Sequence, residues 1–368
     1  MNRLNLSDLV LFGTSSILGS GGFNLIGNAI ASGKDYFPFA LAAVGLIFAG
    51  SAYSYTYAHD KYKKNNSEAL IVEAAFGTPG KLVSHFSILG YNIISIAVVL
   101  VLCAKLLIPD NSWFNQILFA STILLLMIFG AFQQLDINKS VINIFSLGII
   151  AILSVITFLG CTHITKTVSL GTERTNLYDS LTYFFFILAG HDTLMKFSEE
   201  AADTKDINKS FYISIALSFT LIAGTCIAAM VYIKDFSKIN VNDIVSHIFK
   251  EAFNDNIATI VKYVAIILMT STSFVNFLAT IRYYNSITDT TTNSGIFVIG
   301  LLSLGIICIN HLSTLVKFAD VGLILTLLCV ALAVCVERYK TGEVPYIDGL
   351  SGLGLLTILG LITAKHSG

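Results

Sequence analysis

Two stretches decide the reading of this chain: Gly13-Thr-Ser-Ser-Ile-Leu-Gly19-Ser20-Gly21-Gly22-Phe23 and Phe184-Phe-Phe186-Ile-Leu-Ala189-Gly190-His191-Asp192-Thr193. Each interrupts an apolar run long enough to cross a bilayer, which takes about 20 residues as a helix. In the first, Gly19, Gly21 and Gly22 fall at mid-span. Each glycine costs roughly 1 kcal/mol against alanine in a helix and frees the backbone to leave helical geometry. Backbone at hydrocarbon depth can be left free only where protein or a wet cavity satisfies it. Unwinding at Gly19–Gly22 would aim the N–H groups of Ser20, Gly21 and Gly22 into such a cavity. The dipole of the following half-helix would add positive potential there. That is a carboxylate site built from backbone; close helix packing through small residues is the competing reading.

In the second stretch His191 and Asp192 lie mid-span, where an ionisable residue marks function by default. A break at Ala189–Gly190 would free the carbonyls of Ile187, Leu188 and Ala189, a set suited to an ammonium or a sodium ion. The two interruptions fall in the first and sixth spans. That relation is expected of two five-helix units forming an inverted repeat, with broken helices meeting at the midplane.

The rest of the chain supplies the other spans. Eleven apolar segments run at about 9–31, 37–57, 82–107, 115–133, 141–160, 179–198, 211–233, 257–281, 295–312, 316–336 and 349–364. The first repeat covers about 9–160, the second about 179–336, and 349–364 is an extra helix. Everything between is short, so 1–368 is one membrane domain. Of the 368 residues 55% are hydrophobic and 12% charged, half the roughly 25% charge of a soluble domain. A water-soluble globule is excluded, and this is an all-α integral, multi-pass membrane protein. The short Lys61/Lys63/Lys64 loop places the N-terminus in the cytoplasm by the positive-inside rule. The plasma membrane is the expected location.

A net charge of −1 gives no case for nucleic acid. The 6 cysteines show no C-x-x-C pair or metal-ligand spacing, so no metal and no cofactor is expected. Ser, His and Asp are scattered over different spans, and no phosphate-cradling Gly-x-x-x-x-Gly-Lys-Ser/Thr occurs. Neither an enzyme nor an ATP-driven pump is indicated.

Leu18-Gly19-Ser20-Gly21-Gly22-Phe23 resembles the first-helix Gly-Ser-Gly-x-Phe motif of the amino acid–polyamine–organocation permeases. Phe186-Ile-Leu-Ala189-Gly190-His191-Asp192, followed by Glu199-Glu200, is similar to their helix-six segment, and Thr270–Arg282-Tyr to their eighth helix. The resemblance implies a secondary transporter moving amino acids or related amines by alternating access. It places the substrate carboxylate on the N–H groups of Ser20, Gly21 and Gly22. The ammonium would sit on carbonyls of Ile17 and Phe186 to Ala189 beside Gly190, with Phe186 closing over it. The family's twelfth helix has no counterpart before Gly368, and His191 stands where an apolar residue is usual. A membrane sensor or scaffold that keeps the fold without transport is therefore the alternative.

Individual residues carry paired readings. Phe186 is a gate or a packing aromatic; Asp192 a cation partner, a proton carrier or a helix cap. His191 is a proton-coupling or substrate contact or a neutral core residue. Glu199 and Glu200 form gate salt bridges or solvated ends. Thr270 to Ser273 offer hydroxyls for a sodium site facing helix one, or ordinary intrahelical bonds. Proton-coupled symport or exchange is favoured over sodium.

Overall fold

The computed structural model describes residues 3–108, 112–133, 135–164, 175–288, 292–309 and 311–364. They form thirteen α-helices: α1 (Leu6–Gly21), α2 (Ile26–Gly33), α3 (Phe37–Tyr62), α4 (Ser67–Leu107), α5 (Trp113–Ala131), α6 (Leu135–Thr162), α7 (Leu177–Leu188), α8 (Thr204–Tyr232), α9 (Ile244–Ala252), α10 (Asp255–Thr288), α11 (Thr292–Ile309), α12 (Leu312–Lys340) and α13 (Tyr346–Ala364). A short 3-10 helix, His191–Phe197, continues α7. The predicted spans follow as helices in the order of the hydropathy pattern, and seven helices among the described residues are long and apolar enough to cross a membrane. The first span is divided between α1 and α2, the sixth between α7 and the 3-10 helix.

Local chemistry sets the helix ends. Asn5 caps α1 in a reciprocal box with Asp8, Asn176 accepts from the Asp179 N–H at the start of α7, and Asp203 caps α8. These satisfy backbone donors that a helix start otherwise leaves open. The predicted span 82–107 is the second part of the longer α4. Its chain bends at Gly77, where φ is 70°, with Pro79 just beyond. The segment before the bend lies between predicted spans, yet it is helical and buries Glu68, Ala69, Ile71 and Val72.

The centre of the bundle holds α1, α7 and the 3-10 helix, walled by α4, α8, α10 and α12. On the outside, Phe129, Leu301, Leu353 and Phe86 are 62–77% exposed. Apolar side chains spread over the periphery make the surface a hydrocarbon solvent requires. At one end, Leu4 donates to the Glu200 carbonyl and accepts from the Ala202 N–H, pinning the N-terminal segment across the bundle. At the other, the Val241–Asp243 turn lies over Gly27 of α2, and Asn28 donates to Asn242. There, burial pushes the Asp243 carboxyl up, with the Ser246 hydroxyl and the Lys262 ammonium pulling the other way.

Candidate functional site

The two interruptions meet, but they are built differently. In helix six, α7 stops at Leu188; Ala189 is extended and Gly190 has φ 110°, a left-handed conformation that L side chains rarely adopt. Gly190 lies against helix one so closely that a Cβ would stand 2.7 Å from the Ser16 carbonyl oxygen. No hydrogen bond reaches the Leu188 or Ala189 carbonyl among the described residues.

In helix one the expected unwinding at Gly19–Gly22 does not occur. Helix α1 continues through Gly21, and the Gly22 N–H donates to Leu18 at 2.9 Å. Asn24 and Leu25 both donate to the Gly21 carbonyl. The irregularity is a tight turn at 22–25 that keeps most of its ladder. Ser20, Gly21 and Gly22 therefore present no cradle of free N–H groups here. The glycines instead serve approach: a Cβ on Gly19 would fall within 2 Å of the Thr272 hydroxyl, and one on Gly21 would meet Ile187 at 2.9 Å.

Around the Ser16–Gly190 contact lies a small cavity of about 20 Å³, lined by Ser16, Tyr91, Asn92, Ser95, Phe186, Ala189, Gly190, Asp192, Thr193, Asn276, Ala319, Asp320 and Leu323. Helices one, six and eight are tied together at its floor. Asn276 Oδ1 accepts from Ser16 at 2.6 Å and from Thr193 at 3.2 Å. Phe186, Ala189 and Gly190 line the cavity. Ile17, Ile187 and Leu188 are buried in the packing around it.

Asp192 is neither a lone carrier nor a cap. Its carboxylate pairs with Lys196 at 2.5 Å, both side chains essentially inaccessible, and accepts a hydrogen bond from Tyr91. Lys196 also donates to Asn92 at 3.3 Å and lies over the Tyr91 ring. A buried pair stands only where further hydrogen bonds support both ions; Tyr91 and Asn92 of α4 supply them here, while Asp192 Oδ1 has no partner among the described residues. His191 turns away from the cavity. Its Nε2 lies 3.1 Å from Ser51, and its ring packs on Phe48, Tyr55 and Phe211. That environment is a core aromatic cluster.

The helix-eight hydroxyls diverge. Thr270 donates to Ile266 within its own helix, and Ser273 donates to Ile96 of α4. Thr272 is the one that donates to helix one, reaching the Ser15 carbonyl at 3.1 Å. Glu200 pairs with Arg282 at 2.5 Å, and Arg282 covers the Phe197 ring. Glu199 and Asn65 exchange hydrogen bonds through their backbones and side chains. These contacts close the cavity toward the end carrying the N-terminus, above a wide vestibule lined by Lys64, Asn65, Glu199 and Arg282.

Sequence reasoning passed over Lys196, Glu68 and Asp320. The i,i+4 spacing of Asp192 and Lys196 was a readable signal. Glu68 lies between predicted spans. Asp320 was an acid inside an apolar span, which by itself marks a functional candidate.

The fold is an α-helical bundle of membrane-protein character whose first and sixth spans are interrupted. Solved structures share it. MhsT in complex with L-phenylalanine matches with a TM-score of 0.66 at 12% identity, over 96% of this chain and 98% of that one. The substrate-bound, outward-open form of a Na+-coupled sialic acid symporter matches at 0.63 and 15% identity, over 99% and 90%. No protein-family model matches the chain, and no curated protein matches its sequence.

Proposed function

We infer that this protein is a secondary active transporter for amino acids or related amines, working by alternating access. The observation that carries the reading is the Ser16–Gly190 junction: two interrupted helices meet at a cavity lined by polar side chains, and contacts close that cavity toward the end carrying the N-terminus. Carbonyls of Leu188 and Ala189 and the Ser16, Thr193 and Asn276 side chains supply complementary acceptors and donors for a zwitterion. Phe186 covers it from the apolar side.

Proton coupling or exchange fits the buried groups better than sodium. Asp192, Lys196 and nearby Glu68 form a desolvated ionisable set next to the cavity, and membrane proton relays are built from such sets. The Thr272 hydroxyl is already committed to Ser15, while Thr270 and Ser273 point elsewhere. Uptake into proteoliposomes over an amino acid and amine panel tests both levels. Accumulation driven by an inward proton gradient supports the full reading. Accumulation driven only by sodium keeps the transporter and overturns the coupling. Neither transport nor ligand-induced thermal stabilisation leaves a scaffold that has kept the fold.

A further inference from the structure

The cavity that has Asp192 in its lining has a second carboxylate there, with a different status. Asp320, on α12, is fully buried and lines the cavity. Neither of its carboxylate oxygens has a hydrogen-bond partner among the described residues. The nearest cation along its own helix, Lys317, is exposed and forms no ion pair with it. Lys196 is held by Asp192, Tyr91 and Asn92. A desolvated carboxylate is unfavourable unless a cation or a set of donors meets it. The fold keeps this one in the cavity wall with neither.

We propose that Asp320 is the counter-ion for a second cationic group on the substrate, so that the site prefers amines carrying two positive centres over their singly charged isosteres. This rests on the transporter reading above and adds its substrate class. Ser16, Thr193, Asn276 and the helix-six carbonyls hold the α-amino end of the molecule. Asp320, in the α12 part of the lining, meets an ammonium or guanidinium at the other end. Phe186 and Leu323 cover the methylene chain between. Asp192 cannot take that role while Lys196 neutralises it. A site built to bond a charged tail rejects the analogue lacking it, because its own group is then left buried and unpaired.

The test is equilibrium binding to the purified full chain of L-lysine against L-norleucine, and of 1,4-diaminobutane against 1-aminobutane. The expected result is roughly 10- to 100-fold tighter binding of the doubly charged member of each pair. In Asp320→Asn that ratio collapses to near one, and in Asp320→Glu it persists. Asp320→Ser repeats the measurement if the Asn variant does not fold. A wild-type chain that binds L-norleucine as tightly as L-lysine overturns this proposal and leaves the transporter reading standing. So does a ratio unchanged in Asp320→Asn. A wild-type chain that neither binds nor transports any of the four overturns both.

Discussion

The interruption in helix one and the interruption in helix six look alike as strings of small residues, and they do opposite things. At Gly19–Gly22 the glycines let two helices approach, and the hydrogen-bond ladder survives almost to Phe23. At Ala189–Gly190 the backbone leaves helical space altogether, and the cavity and buried ion pair gather beside it. Glycine density measures closeness of packing. A left-handed residue next to ionisable groups in hydrocarbon measures function.

The largest effect expected from this contrast is at Lys196. In Lys196→Met, Asp192 is left as a buried charge without its partner. Removing one member of such a pair typically costs about 3–5 kcal/mol, so thermal unfolding in detergent should shift down steeply. The double variant Lys196→Met/Asp192→Asn should recover much of that loss. A single variant as stable as wild type would show the pair to be solvated. Next comes Gly19→Ala, where the new methyl group collides with Thr272. Overpacking of this kind costs about 1–3 kcal/mol and should lower Tm. A neutral result would mean that α1 and α10 are not in contact there.

His191→Gln is expected to lower stability modestly, through lost ring contacts, without moving the pH profile of uptake. A displaced profile would return the histidine to the coupling machinery. The smallest effect is at Asp243, which roofs α2 at the far end. Its carboxyl is raised by burial, so the folded state holds the proton more tightly than the unfolded chain. Its charge therefore detracts from stability above the folded value and ceases to do so on acidification. Asp243→Asn should raise Tm slightly near neutral pH and leave it unchanged below the ordinary carboxylate range. The reverse pH trend would contradict this.

Much of the architecture was legible because hydrocarbon leaves so few choices. Eleven apolar runs and two interruptions five crossings apart specify the bundle, and the helix-six break at Ala189–Gly190 is among them. What stayed hidden depended on neighbours distant in the chain. Ser20–Gly22 was expected to unwind, but whether glycines unwind or pack is decided by Thr272 and Ile187. The partner of Asp192 was four residues away, yet only Tyr91 and Asn92 of α4 make the pair tenable. Thr270 and Ser273 were grouped with Thr272 by spacing, while the rotation of α10 sends the three in different directions.

The most direct test of the central claim, that the helix-six break carries the substrate site, is amino acid and diamine uptake into proteoliposomes by wild type and Gly190→Ala. The alanine methyl would have to enter space held by the Ser16 carbonyl at a φ that alanine resists. The account predicts saturable accumulation by wild type and its loss in the correctly inserted variant. Undiminished uptake by Gly190→Ala would contradict it.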